Sequence, residues 1–168
     1  LAQVTVAGAA GCGFVQGGVR VFPEGDQEIS PVCDTYVEAD LARFSRKLRP
    51  DVAMFLTGGW DIVNQRFAGT GSLSPTDPQY QRRIEDAFRT ATANVLGAGV
   101  PRVLWLMQPT SNPYWNPASS PQEDPLRHRV LHDAMAEVAA SNPTTVAVAD
   151  LSWWLENSGM AKDHDARP

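Results

Sequence analysis

The sequence is short of several features that would place it in a particular functional class. It has only two cysteines, and no histidine lies near them, so a four-ligand zinc site is not indicated. Asp and Glu number 19 against 14 Lys and Arg, which argues against general nucleic-acid binding, because a phosphate backbone requires a basic face. No apolar run approaches the roughly 18 residues that predict a transmembrane helix.

The composition predicts one folded domain. Of the 168 residues, 43% are hydrophobic and 20% are charged, which is ordinary for a globular protein and too balanced for a disordered one. A chain of this length buries roughly two-thirds of the surface that its unfolded form exposes, so a substantial core is available. The sequence contains no internal repeat and no linker, and we therefore expect a single domain over residues 1–168.

The two cysteines, Cys12 and Cys33, flank a stretch that is rich in glycine and proline. Two interpretations are open: a pair of free buried thiols, which cytosolic proteins often contain, or a disulfide, which would stabilise the fold by roughly 3 kcal/mol. We favour the disulfide, because the segment between the cysteines has little apolar core of its own. A disulfide would in turn indicate an extracytoplasmic compartment.

Hydrophobic patterning predicts strands that alternate with helices. The predicted strands are Gln3–Val6, Val52–Thr57, Arg102–Met107 and Thr145–Asp150. The middle two are almost continuously apolar, as strands buried on both faces of a parallel sheet are. Amphipathic periodicity predicts helices over Tyr36–Leu48, Gln79–Leu96 and Pro125–Ala140. The alternation is typical of an α/β domain with a parallel sheet.

Long loops follow the first three predicted strands and cover Gly8–Pro31, Gly58–Pro78 and Gln108–Asp124. In open α/β sheets, ligands bind outside the carboxyl ends of the strands. Long loops without secondary structure inside a compact domain usually carry function. We therefore expect any chemistry to be located at this rim.

Two of these loops carry a family resemblance. The first predicted strand leads into Gly8-Ala9-Ala10-Gly11-Cys12-Gly13, and the second leads into Gly58-Gly59-Trp60-Asp61. Their order and spacing resemble the second and third sequence blocks of the SGNH (GDSL-like) hydrolases. The chain is most similar to the extracytoplasmic SGNH domains of bacterial membrane O-acyltransferases, which often carry a Gly-Cys-Gly turn, an Arg-Pro-Asp lead (Arg49-Pro50-Asp51 here) and a Trp followed by an acid.

The resemblance implies a three-layer α/β/α sandwich whose parallel sheet has the flavodoxin-like order. By the same resemblance, the backbone N–H of Gly11 is an oxyanion donor, and Trp60 takes the place of the family's asparagine, which is another donor. Asp61 is expected to anchor the turn behind these two residues. The implied activity is ester hydrolysis or acyl transfer on an O-acylated cell-surface glycan or glycolipid. The implied location is extracytoplasmic, with tethering to the membrane through an attached or associated acyltransferase domain.

The chain departs from the family at both catalytic ends. It has no Gly-Asp-Ser nucleophile block, since the nearest segment is Gly25-Asp26-Gln27, and no Asp-x-x-His block, since Asp163 and His164 are adjacent. Trp60 is also bulkier than asparagine and has one donor. We expect a domain truncated at both ends, with negligible turnover by these 168 residues alone. The alternative is a non-catalytic α/β domain that binds a glycan or a protein.

Aromatic residues on the predicted rim are candidates for stacking on a sugar ring. They are Trp60, Tyr114 and Trp115, and the alternative is that they only pack the loops against the domain. Trp153 and Trp154, which follow the last predicted strand, are expected to contribute to packing.

Neither a metal nor a nucleotide cofactor is expected. His128 and His132 have the i, i+4 spacing of two metal ligands on a helix, but they fall off its apolar stripe and no third ligand is near in sequence. We therefore expect two solvated histidines. The glycine spacing of Gly8–Gly13 differs from a dinucleotide fingerprint, and no helical pattern follows it.

Overall fold

A computed structural model describes residues 2–9, 11–57, 59–110 and 121–159 of the chain. In these ranges the protein has an α/β fold with a three-stranded and a four-stranded sheet. The strands are β1 (Gly18–Phe22), β2 (Gly25–Glu28), β3 (Ala53–Leu56), β4 (Asn64–Phe67), β5 (Ser72–Leu73), β6 (Val103–Met107) and β7 (Val146–Asp150). The α-helices are α1 (Leu41–Leu48), α2 (Pro78–Gly97), α3 (Pro125–Ser141) and α4 (Leu151–Ser158).

The three-stranded sheet is parallel and has the order β3-β6-β7. Phe55, Trp105 and Val148 lie side by side across it, in register. These strands fall within three of the four predicted ones, so the prediction of a parallel sheet built from the apolar runs is confirmed. Continuous apolar runs identify such strands because helices and loops cover them.

The prediction of a strand at Gln3–Val6 is wrong for the described chain. Residues 3–6 form no secondary structure, and the side chains of Val4 and Val6 are 69% and 90% exposed. A strand needs a neighbour to pair its N–H and C=O groups, and alternating valines alone do not supply one.

The four-stranded sheet is antiparallel, has the order β2-β1-β4-β5 and lies in segments that the sequence predicts to be structureless loops. β1 pairs with β4 so that Gly18 faces Phe67 and Arg20 faces Gln65. Because Gly18, Arg20 and Gln65 are buried positions of these strands, several inward-facing side chains are not apolar. The usual alternation of apolar and polar residues is therefore missing.

α2 and α3 match their predictions to within one residue at each end, whereas α4 is not predicted from the sequence. α2 and α3 both begin with proline, and the Asp124 side chain accepts a hydrogen bond from the Leu126 N–H at 2.9 Å. The first predicted helix differs, because it starts as a π-helical turn over Tyr36–Asp40 and continues as α1. No helix in the described ranges is long and apolar enough to cross a bilayer.

A cluster of aromatic rings in the core packs the segment before β1 against the parallel sheet and α2. Phe14, from the loop before β1, packs edge-on against Phe55 and Phe88 at centroid distances of 5.5 and 5.4 Å. Trp105 stacks on Phe88 at 4.5 Å, and its indole N–H donates to the Thr92 hydroxyl at 3.1 Å. These rings are fully or almost fully buried, and they position the segment after the cysteine-containing turn against the parallel sheet.

The other face of the parallel sheet is less well covered. Met54 and Leu56, which point away from the aromatic cluster, are 54% and 57% exposed. Trp153 and Trp154 of α4 are 61% and 49% exposed, so the expectation that they are packing residues is wrong. Both faces of a parallel sheet are normally covered, and this apolar surface is therefore an unusual feature of the described chain.

The predicted disulfide is confirmed. Cys12 and Cys33 are bonded, with their Cα atoms 5.3 Å apart, and Cys33 is fully buried. The bond ties the turn before Phe14 to the short 3-10 turn Pro31–Cys33, beyond the β1–β2 hairpin.

Removing this bond is expected to destabilise the fold. The double variant Cys12→Ser/Cys33→Ser should lose about 3 kcal/mol of unfolding free energy, because the unfolded chain regains the entropy of the closed loop. Urea denaturation of the variant and the wild type, each with and without a reductant, measures this loss. Equal stability of the two proteins under oxidising conditions would contradict the prediction.

Candidate functional site

A fully buried carboxylate organises the region after β3. Asp61 Oδ2 accepts a hydrogen bond from the Phe14 N–H at 3.0 Å, and Oδ1 accepts one from the Val15 N–H at 2.9 Å. A Cβ on Gly13 would lie 2.4 Å from Asp61 Oδ1, so only glycine allows this approach. Asp61 thus anchors the segment that follows the disulfide-bonded turn.

Arg20 provides the positive charge that faces Asp61. It points inward from β1 and is 3% exposed. Its Nη2 donates a hydrogen bond to the Gly11 carbonyl oxygen, and its guanidinium carbon lies 4.2 Å from the centroid of the Trp60 ring. One side chain therefore contacts both the cysteine-containing turn and the loop after β3.

Burial dominates the electrostatics of this pair. Loss of hydration raises the pKa of Asp61 to about 6, although the two backbone N–H groups and the Arg20 charge act in the opposite direction. The pKa of Arg20 is lowered by burial, and the Asp61 charge opposes that change. Tyr80, which is also buried here, has a raised pKa, because burial disfavours its phenolate and the Asp61 charge adds to the effect.

Gly11 and Trp60, the two predicted oxyanion residues, are linked through Arg20. Gly11 is exposed, has a φ of +77° and has no atom within 4 Å of the position that a Cβ would take. Trp60 is half-buried, and in the described part of the chain its indole N–H has no acceptor. Its carbonyl oxygen accepts a hydrogen bond from Gln65 Nε2 at 3.3 Å.

The predicted saccharide-stacking residues Tyr114 and Trp115 lie outside the described residues. The same is true of Asp163 and His164. The candidate site is therefore defined by Gly11, Arg20, Trp60 and Asp61.

The expectation that His128 and His132 are solvated is wrong. His128 is 3% exposed and its Nε2 lies 2.7 Å from the Gln122 carbonyl oxygen, while His132 Nε2 lies 3.1 Å from the Gln108 carbonyl oxygen. Burial lowers the pKa of both rings, because it disfavours the charged imidazolium, while the contacts to the two carbonyl oxygens oppose this change.

The helical wheel predicts the wrong environment for these histidines because the N-terminal part of α3 packs against loops as well as against other helices. Gln122, which His128 contacts, also donates from Nε2 to the Gly59 carbonyl oxygen at 3.1 Å. The two histidines therefore help to fix the loops at the carboxyl ends of β3 and β6. Across the described ranges, no group of three or more His, Cys, Asp or Glu residues is placed to hold a metal ion.

The sequence patterns do not identify Arg20 as a site residue. The only signal was a charged residue within the short pattern Gly18-Val19-Arg20-Val21, where an inward position would ordinarily be apolar. A charged residue at such a position implies buried partners, which here are the Gly11 carbonyl, the Trp60 ring and the nearby charge of Asp61.

Comparison with known proteins gives no relative: no family model, no curated protein and no solved structure matches the chain.

The raised pKa of Asp61 predicts a particular dependence of stability on pH. A carboxyl whose folded pKa is about 6 holds its proton when the unfolded chain, with a pKa near 3.9, has released it. The unfolding free energy should therefore fall by about 2 kcal/mol from this group as pH rises from about 4 to about 6.

The variant Asp61→Asn isolates this contribution, because asparagine does not titrate and the other groups remain. The stability of the wild type relative to the variant should be greatest below pH 4 and should decrease as the pH rises through 6. Urea denaturation of both proteins at several pH values provides the measurement. Parallel pH profiles would show that Asp61 has an ordinary pKa.

Proposed function

We propose that the chain is an SGNH-type domain for ester hydrolysis or O-acyl transfer on an acylated cell-surface saccharide or glycolipid. The observation that supports the proposal is that the Arg20 guanidinium contacts both the Gly11 carbonyl and the Trp60 ring, while Asp61 holds the segment that follows Gly11. Gly11 and Trp60 are the two positions to which the family resemblance assigns oxyanion stabilisation.

The chemistry requires hydrogen-bond donors that are fixed before the reaction begins. Attack on an ester carbonyl produces a tetrahedral oxyanion, which is stabilised by donors about 3 Å away. An exposed glycine turn and a half-buried indole N–H without an acceptor in the described chain are suitable donors. Asp61 contributes indirectly, since it holds the backbone of Phe14 and Val15 and touches no solvent.

The nucleophile would come from a strand next to β3. In the flavodoxin-like order, the first strand of the family lies between the second and the third, and here these correspond to residues 3–6 and β3. In the described ranges β3 is an edge strand that pairs with β6 alone, so its other edge is open to a further strand, and this supports a missing neighbour. We place the Gly-Asp-Ser block on that strand, in polypeptide outside the 168 residues.

The location and partner of the domain follow from the same proposal. The disulfide favours an extracytoplasmic compartment, where oxidised cysteines persist. An O-acyltransferase domain in the membrane, attached or associated, would supply the acyl group. Neither step requires a metal or a nucleotide cofactor.

The test is covalent labelling of the full-length gene product with a serine-reactive fluorophosphonate probe. The proposal predicts labelling at a serine outside residues 1–168 and turnover of p-nitrophenyl acetate by the full-length protein. The isolated 168-residue chain should show neither. Absence of both in the full-length protein would favour the alternative, a non-catalytic domain that binds a glycan or a protein.

Trp60 gives a sharper test in the same full-length protein. The variant Trp60→Phe keeps an aromatic ring under the Arg20 guanidinium but removes the indole donor, so kcat should fall about 100-fold. The variant Trp153→Phe changes an exposed tryptophan of α4 and should leave kcat unchanged. An unaltered kcat in Trp60→Phe would remove Trp60 from the proposed oxyanion site.

A further inference from the structure

Arg20 makes more contacts to the candidate site than its charge balance with Asp61 requires. Its guanidinium donates from Nη2 to the Gly11 carbonyl oxygen, donates from Nη1 to Gln27 Oε1 at 3.5 Å and covers the Trp60 ring at 4.2 Å. A point charge at the same place would balance Asp61 equally well. The planar, forked guanidinium is needed for stacking and for directed hydrogen bonds.

The Gly11 turn depends on such a contact because its own packing is sparse. Gly11 has a left-handed φ of +77°, is exposed, and a Cβ placed there would have no neighbour within 4 Å. The neighbouring disulfide holds Cys12, and the hydrogen bond to Arg20 holds the Gly11 carbonyl. Glycine adopts negative φ values about as readily as positive ones, so the left-handed conformation of Gly11 is not fixed by the residue itself. The hydrogen bond from Arg20 therefore restricts the orientation of the turn.

Arg20 also restricts the orientation of the Trp60 ring, as it restricts that of the Gly11 turn. Trp60 follows β3 in a short loop, is half-buried, and its indole N–H has no acceptor within the described ranges. The guanidinium on its face limits rotation of the ring, because a cation over an aromatic face is stabilised only while the two groups remain stacked.

We propose that Arg20 is a positioning residue, which fixes the Trp60 indole and the Gly11 turn relative to one another so that their N–H groups converge on one point. This inference rests on the proposed acyl-handling function for its purpose, but the positioning itself is a property of the 168-residue chain. Arg20 is too deeply buried to touch a substrate, and it acts through Gly11 and Trp60.

The variant Arg20→Lys separates positioning from charge balance. Lysine keeps the positive charge near Asp61 but loses the planar stack and the forked donors. The matched control is Arg66→Lys, which changes an exposed arginine of the adjacent strand β4 that pairs with Asp26. Urea denaturation of both variants reports whether each one folds.

The first readout is ¹⁹F NMR of the 168-residue chain with 5-fluorotryptophan at its five tryptophans, with Trp60 assigned by the Trp60→Phe variant. In Arg20→Lys the Trp60 resonance should move by several linewidths, while the resonance of Trp153 stays in place. In Arg66→Lys neither should move. A Trp60 resonance that is unchanged in Arg20→Lys would overturn the inference.

A second measurement does not depend on the folding of an Arg20 variant. In the wild type, the ring current of Trp60 should shift the side-chain protons of Arg20 upfield. In Trp60→Phe this upfield shift should become smaller, because the ring current of a phenyl ring is weaker than that of an indole. Arg20 protons at ordinary positions in the wild type would show that the stack does not exist in solution and would overturn the inference.

The final readout is kinetic and uses the full-length protein with p-nitrophenyl acetate. Arg20→Lys should lower kcat at least tenfold with little change in KM, because only transition-state stabilisation is lost. If Trp60 moves in the NMR experiment but the wild type shows neither labelling nor turnover, the proposed function fails and the positioning role stands. If the wild type turns over and Arg20→Lys retains its kcat, the positioning role in catalysis is refuted.

Discussion

The buried carboxylate of Asp61 is the interaction on which the other features of the site depend. It binds the N–H groups of Phe14 and Val15, and so connects the loop after β3 to the segment after the disulfide-bonded turn. Its charge is balanced by Arg20 from the antiparallel sheet. Burying a charge is costly unless it is paired and hydrogen-bonded. The two N–H bonds and the nearby Arg20 charge offset part of this cost, and the pKa of Asp61 still rises to about 6.

This constraint locates the candidate site at the junction of the two sheets. The parallel sheet contributes the loop that carries Trp60, and the antiparallel sheet contributes Arg20. A site formed between two rigid elements can hold donors in place at little entropic cost during a reaction. Burial of Asp61 fixes the geometry of this segment and also raises the pKa of its carboxyl. The unfolding free energy is therefore lower at neutral pH than at acidic pH, as far as this group is concerned.

The sequence predicts the parallel sheet and its helices because their signals are local and strong. Continuous apolar runs mark β3 and β6, and 3.6-residue periodicity marks the helices. The antiparallel sheet is not predictable in this way, since inward positions of its strands hold Gly18, Arg20 and Gln65, which become compatible with burial only through distant partners. The burial of His128 is not predicted for a similar reason, because its partner is a carbonyl of the short 3-10 turn Pro121–Glu123 and not an apolar helix face.

The titration of the Asp61 carboxyl carbon, followed by ¹³C NMR together with the amide protons of Phe14 and Val15, tests this account most directly. The account predicts that all three signals change with one apparent pKa of about 6, since the carboxylate accepts both N–H bonds in the folded protein. A carboxyl that titrates near pH 4, with amide signals that do not respond, would show that Asp61 is neither buried nor the anchor of this segment.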